Sequence, residues 1–199
     1  MPIEPRGLLL CGGSSTRFGG DKLLAAIPGA EAEGPIAARA AANLIAGAGS
    51  ALAIVPLGAA ALARALAAAG CEVVESDRTA RGMGASLAAA VAASGRAGGW
   101  IVALGDMPLI LPSTIRAVAD ALAGGALIAA PVSPAGGSRG HPVGFAAGLR
   151  AELLALDADQ GARSVVLRHR DRVRLVPVDD PGIHVDLDTR EQLAALARR

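Results

Sequence analysis

Short, unbroken runs of aliphatic residues alternate along this chain with longer segments rich in alanine and leucine. This alternation is typical of α/β proteins, whose parallel strands are covered by helices on both faces and therefore contain few polar residues. The pattern predicts eight strands, at residues 7–11, 51–55, 72–75, 99–104, 126–130, 143–146, 173–177 and 184–186. It predicts seven helices, at residues 35–47, 58–69, 84–94, 113–123, 148–156, 161–168 and 189–198. We expect an α/β fold with a mostly parallel central sheet.

The length and composition suit one soluble domain, residues 1–199. Hydrophobic residues make up 52% of the chain and can fill a large core, and no linker or internal repeat interrupts the pattern. The apolar stretches are too short to span a bilayer, and the N-terminus does not resemble a signal peptide. Cys11 and Cys71 are too far apart for a CxxC pair and predict no disulfide framework, which fits a reducing cytosol. We therefore expect a cytoplasmic protein.

The charge and the aromatic content argue against some partners. The net charge is +1, and the only aromatic residues are two phenylalanines and one tryptophan. A nucleic-acid or membrane surface needs a concentration of positive charge, and base stacking needs more rings. We expect neither nucleic acid nor membrane as a partner.

A glycine-framed loop follows the first predicted strand, in the stretch "LLLCGGSSTRFGGDKLLA" at residues 8–25. Its glycine spacing fits neither the Walker phosphate loop nor the dinucleotide-binding fingerprint, and the second strand lacks the acidic residue that would hold a ribose. An NAD-dependent oxidoreductase is thus disfavoured. The loop carries Arg17 and Lys22, which together with backbone N–H groups could surround a polyanion. A flexible turn with solvated cations is the alternative.

Two acidic stretches add to this signal. Asp106 follows the apolar strand in "WIVALGDMPLI", at the sheet edge where α/β proteins bind ligands, and could hold Mg²⁺ between phosphates. In "GIHVDLDTREQL", Asp186 and Asp188 would share one face of a short strand. Each stretch also has a structural interpretation, since Asp106 could cap a turn and Asp188 or Thr189 could cap the last helix. Together with the loop cations, these carboxylates would suit one metal–triphosphate site.

The motifs resemble those of the nucleotidyltransferases that complete the molybdenum cofactor. Besides "LCGGSSTRFGGDKLL", the similar stretches are "GMGASL", "LGDMPL", "RGHPVGF", "DQGARSVV" and "VDLDTREQL", and they occur in order along nearly the whole chain. The resemblance implies a three-layer, Rossmann-like nucleotidyltransferase fold of the nucleotide-diphospho-sugar transferase type. It is strongest to the cytidylyltransferase branch, and the guanylyltransferase branch is a near relative.

The resemblance also implies roles for individual residues. The backbone around the first loop would hold the nucleotide base and phosphates, at Leu10, Gly12, Gly13 and Ser14. Arg17 and Lys22 would neutralise the triphosphate, Asp106 and Asp188 would bind Mg²⁺ (or Mn²⁺), and Ser86 would lie beside the nucleoside. The residues implied to face the pterin are His141, Pro142, Asp159 and Arg163.

The implied reaction transfers CMP from CTP to molybdenum-bound molybdopterin and releases pyrophosphate. The implied partners are CTP (or GTP), molybdopterin and an apo-molybdoenzyme. The alternatives are the same chemistry with GTP, another phosphate-alcohol cytidylyltransferase, and a non-catalytic molybdopterin-binding chaperone. Gly12 stands where the cytidylyl branch usually has alanine and the guanylyl branch glycine. The missing methyl predicts extra room for a purine, and Gly12→Ala is expected to sharpen a preference for CTP.

Overall fold

A seven-stranded, mostly parallel sheet forms the centre of the molecule. The computed structural model describes residues 4–13, 18–30, 32, 34–134, 137–158 and 161–196. The strands are β1 (Arg6–Leu10), β2 (Ala51–Pro56), β3 (Glu72–Ser76), β4 (Gly99–Leu104), β5 (Ile128–Val132), β6 (Val143–Ala146) and β7 (Val173–Pro177). Their order is β3-β2-β1-β4-β6-β5-β7, and only β6 runs antiparallel to its neighbours. The predicted fold class is confirmed.

Helices cover both faces of this sheet. They are α1 (Ile36–Ala48), α2 (Ala60–Ala68), α3 (Met83–Ala93), α4 (Pro112–Ala123), α5 (Arg150–Leu154), α6 (Arg163–Arg168) and α7 (Arg190–Leu196). One core cluster joins α1, α2 and α4 to one face, and a second joins α3, α5 and α6 to the other. The side chains of β1 divide between them, since Leu9 enters the first cluster and Leu8 and Leu10 the second. None of the described helices is long and apolar enough to cross a membrane.

The strand register brings the loops that follow β1 and β4 together. Leu10 at the end of β1 is paired with Leu104 at the end of β4. The pairing continues past the strands, where Gly105 N donates to the carbonyl oxygen of Leu10 at 3.0 Å. Because parallel strands all end at the same edge, the loop after β1 and the acidic loop after β4 lie side by side.

The predicted strand at 184–186 is wrong. The chain there forms a 3₁₀ turn, Pro181–His184, and then runs outside the sheet. The Asp180 carboxylate starts this turn by accepting a hydrogen bond from Gly182 N at 2.9 Å. Strand β4 is already paired with β1 and β6, so the segment cannot join it as a further strand. A hydrogen bond from Leu187 N to the Asp106 carbonyl oxygen, at 3.0 Å, holds it against the loop after β4.

Candidate active site

Two carboxylates and one ammonium group form the polar centre of the site. Lys22 Nζ donates to Asp106 Oδ2 at 2.8 Å and to Asp188 Oδ1 at 2.9 Å. The three residues come from the loop after β1, the loop after β4 and the segment before α7. The Lys22 side chain is only 11% exposed, and the two carboxylates are 24% and 23% exposed. The site is therefore half-buried and stays open to a ligand on one side.

The backbone at each of these residues is held in place. Lys22 begins a short 3₁₀ turn, Lys22–Leu24, in which Leu23 and Leu24 pack against the first core cluster. The bond from Leu187 N holds the segment of Asp188 against the backbone of Asp106. Asp186 is exposed and takes no part in the ion pairs of Lys22. Of the two candidate carboxylates, Asp188 is thus the one that meets Asp106 across Lys22.

The electrostatic balance keeps Lys22 charged. Burial alone lowers the pKa of Lys22, but its hydrogen bonds to Asp106 and Asp188, together with their negative charges, raise the pKa above its ordinary value. The ammonium ion therefore persists at neutral pH. Among these three side chains, two carboxylates face one ammonium group.

The donor set of this centre fits a divalent cation. Asp106 and Asp188 already share one cation between them, and carboxylate oxygens are the ligands that Mg²⁺ and Mn²⁺ prefer. Within the described residues, no group of three or more His, Cys, Asp or Glu side chains is placed to hold a metal. The remaining ligands of an ion held here would be phosphate oxygens and water, as is usual for Mg²⁺ at nucleotide sites.

A small cavity of about 120 Å³ opens beside these charges. Its walls include six of the predicted site residues, which are Leu10, Gly12, Gly13, Lys22, Ser86 and Asp106. Gly13 has a φ of 125°, a conformation that side-chain-bearing residues rarely adopt. The predicted nucleotide loop and the charged centre therefore share one cavity.

Gly12 is packed closely against the start of α3. A Cβ atom at this position would lie 3.1 Å from Ser86 Oγ and 3.2 Å from Thr79 Cβ. Both neighbours are fixed, because Ser86 Oγ donates to the Gly82 carbonyl oxygen at 2.9 Å and Thr79 Oγ1 to that of Ser76 at 2.9 Å. The missing methyl group thus allows a close approach of loop and helix.

A larger cavity of about 730 Å³ adjoins the small one, and Leu10, Met83 and Leu104 line both. Its other walls include the aliphatic residues Leu87, Val102, Val143, Val166 and Val173. Three exposed arginines lie around it, at positions 139, 163 and 170. The cavity suits a ligand that combines an uncharged body with anionic groups.

His141 lies in the wall of the large cavity. Its backbone N–H donates to the Ile183 carbonyl oxygen at 3.0 Å, and its buried Nδ1 has no hydrogen-bond partner among the described residues. Burial lowers the pKa of His141, although the negative charge of Asp106 acts in the opposite direction. The ring is therefore neutral at pH 7.

Not every predicted site residue reaches this region. Arg163 lines the large cavity, whereas Pro142 is buried and is absent from its walls. Ser14, Arg17 and Asp159 lie outside the described residues.

The sequence interpretation did not single out most of the wall residues, and Met83, Leu104, Arg139 and Arg170 are among those it missed. Arg139 belongs to the quoted stretch "RGHPVGF" and could have been found there. No pattern in the sequence marked Arg170.

Most of the chain matches a known family of domains. The model of the MobA-like NTP transferase domain matches residues 7–174. No curated protein matches the chain. The crystal structure of Rv0371c from Mycobacterium tuberculosis has a TM-score of 0.82 at 29% sequence identity, and the alignment covers 100% of both chains.

Two further structures extend the comparison. A manganese complex of Rv0371c has a TM-score of 0.76 at 27% identity and covers 98% of each chain. The metal in that complex agrees with the prediction of Mg²⁺ or Mn²⁺ as cofactor. Mth528, a nucleotidyl transferase from Methanothermobacter, has a TM-score of 0.79 at 19% identity and covers 98% of this chain and 96% of its own. At that identity the likeness shows the fold alone.

Proposed function

Since the chain belongs to the MobA-like NTP transferase family and is a nucleotidyltransferase, we propose that it transfers CMP from CTP to molybdenum-bound molybdopterin. Pyrophosphate is the second product. The observation that carries this proposal is the ion-paired group of Lys22, Asp106 and Asp188, of which Lys22 and Asp106 line a small cavity that shares three wall residues with a larger one. The single-domain organisation, the cytoplasmic location and an apo-molybdoenzyme as recipient stay predictions.

Each of the two cavities would bind one of the two substrates. The glycine loop and Lys22 suit the phosphates and nucleoside of CTP, and the larger cavity suits molybdopterin. Its aliphatic wall residues would contact the pterin ring system, and the arginines around it would face the terminal phosphate. His141 adds a neutral ring to the wall of the larger cavity.

The chemistry is a displacement at the α-phosphorus of CTP. An oxygen of the molybdopterin phosphate forms the new bond, and the bond from the α-phosphorus to the β-phosphate breaks. A phosphate monoester has a second pKa near ~6 and is mostly dianionic at pH 7, so the nucleophile needs no general base. The barrier is electrostatic, since a dianion approaches a polyanion. Lys22 lowers it through its charge, and a divalent ion held by Asp106 and Asp188 would stabilise the leaving pyrophosphate.

Pyrophosphate release tests the proposal directly. We expect release from CTP with Mg²⁺ that depends on added molybdopterin, together with formation of the cytosine dinucleotide. Asp106→Asn should keep the fold and lower the rate by about 10²–10³-fold, as removal of a comparable electrostatic group does. Binding of molybdopterin without turnover would instead identify a chaperone. Turnover only with a polyol phosphate would identify another cytidylyltransferase, and a tenfold preference for GTP would identify the guanylyl branch.

A further inference from the structure

Lys22 is the only lysine in the chain, and every other residue with a permanent positive charge is an arginine. This single ammonium lies between Asp106 and Asp188, at 2.8 and 2.9 Å from their oxygens. Those are the two carboxylates whose oxygens fit a divalent cation. A metal ion and the Lys22 ammonium would therefore compete for the same carboxylates.

We propose that the Lys22 ammonium competes with the metal ion for Asp106 and Asp188. It occupies these carboxylates until a nucleotide binds. The ammonium neutralises one of the two carboxylate charges and occupies the position between them. The phosphates of the incoming nucleotide attract Lys22, and its departure removes the ammonium that competes with the divalent ion for these carboxylate oxygens. Metal and nucleotide then bind with positive coupling. The inference rests on the proposed function only for the identity of that nucleotide.

The packing around Lys22 allows its side chain to move while its backbone stays fixed. Lys22 N donates to the Gly20 carbonyl oxygen at 2.8 Å, and Leu23 and Leu24 are packed on the core. The side chain lines the small cavity together with Gly12 and Gly13. The exchange needs only rotations within one flexible side chain that ends in a compact charge. An arginine fork would be bulkier and would bind the two carboxylates more rigidly.

Mn²⁺ binding to the nucleotide-free protein, measured by electron paramagnetic resonance, tests the competition without any turnover. We expect Lys22→Met to bind Mn²⁺ roughly tenfold more tightly than the unmutated protein, because a unit positive charge beside both ligands is removed. The gain should disappear in the double variant Lys22→Met/Asp106→Asn. Arg64→Met removes an exposed positive charge from α2 and should leave Mn²⁺ affinity unchanged. Equal or weaker Mn²⁺ binding by a folded Lys22→Met would overturn the proposal.

A second measurement uses the unmutated protein and remains decisive should Lys22→Met fail to fold. Protein labelled with ¹³C-lysine gives one lysine Cε signal in NMR spectra, since the chain has one lysine. Millimolar Mg²⁺ alone should move this signal little, and Mg²⁺ with CTP or GTP should move it to a new position. A signal that stays unchanged with Mg²⁺ and either nucleotide contradicts the exchange. Because neither measurement involves molybdopterin, the inference and the proposed reaction can fail separately.

Discussion

The expected effect of a substitution at Gly12 depends on the atoms packed beside this residue. The branch comparison predicts that Gly12→Ala sharpens the choice of CTP, whereas the structure places the added methyl group against Ser86 and Thr79. We now expect Gly12→Ala to destabilise the protein by about 1–3 kcal/mol through overpacking. It should weaken CTP and GTP binding to a similar extent.

Urea unfolding and titrations with both nucleotides check this expectation. Gly148→Ala is the matched control, because a Cβ there would meet no atom within 4 Å. A stable Gly12→Ala variant with a changed ratio of CTP to GTP affinity would instead support the prediction that this position influences base choice.

The burial of His141 predicts that the stability of the protein depends on pH. Because burial lowers its pKa below the ordinary 6.5, the unfolded chain binds a proton at mildly acidic pH that the folded protein resists. The free energy of unfolding should therefore fall as the pH drops below about 6.5, and this part of the fall should be absent in His141→Gln. Urea unfolding at a series of pH values between about 7 and 5 measures the difference. The exposed His184 provides the control variant His184→Gln. Equal pH slopes for His141→Gln and the unmutated protein would contradict the prediction.

The sequence was sufficient to name the residues of the charged centre but not to connect them. Lys22, Asp106 and Asp188 stand out because each belongs to a recognisable motif. The hydrogen bond of Lys22 to Asp106, however, spans 84 positions of the sequence, and its hydrogen bond to Asp188 spans 166. No local pattern encodes such contacts. The shared position of one ammonium between two carboxylates therefore emerges only from the folded chain.

At the scale of elements, the buried Asp180 joins the segment before α7 to the start of α4. Its carboxylate accepts hydrogen bonds from Leu111 N at 2.8 Å, Thr114 Oγ1 at 2.7 Å and Gly182 N at 2.9 Å. We expect Asp180→Ala to cost about 2–4 kcal/mol, because it leaves buried donors unpaired and removes a negative charge near a helix N-terminus.

Chemical denaturation measures this loss, and Asp179→Ala, at the exposed neighbouring carboxylate, should change stability by less than about 0.5 kcal/mol. Because the same segment carries Asp188, Asp180→Ala should also weaken Mn²⁺ binding. A variant that loses stability but binds Mn²⁺ normally would show that Asp188 is positioned independently of Asp180.

The elements that the sequence predicts well are those whose hydrophobic pattern also decides their burial. Strands β1 to β4 and helices α1 to α4 follow unbroken aliphatic runs and Ala/Leu-rich segments, and they lie within a few residues of their predicted bounds. The failure at 184–186 has a tertiary cause. The residues "IHV" resemble a strand, but the long-range bonds of Asp180 select a turn there, and β4 has no free edge.

At the scale of the whole molecule, the candidate site joins parts of the chain that are distant in sequence. The loops after β1 and β4, the start of α3 and the segment before α7 all contribute to the region around the small cavity. A ligand bound there contacts elements from both halves of the sequence. Such a ligand should therefore stabilise the global fold and not merely one loop.

Thermal unfolding measures this coupling and reports the base preference in the same experiment. A ligand at 100 times its Kd adds about 2.7 kcal/mol, which corresponds to a rise in Tm of roughly 5–11 °C for a protein of this size. We expect Mg²⁺ with CTP to produce a rise of this order, GTP at the same concentration to produce a smaller one, and Mg²⁺ alone to produce little. Asp106→Asn should lose most of the rise with CTP, because the metal no longer joins the phosphates to the loop after β4. A larger rise in Tm with GTP than with CTP would show that the protein prefers guanine nucleotides. No rise with either nucleotide would contradict nucleotide binding in this cavity.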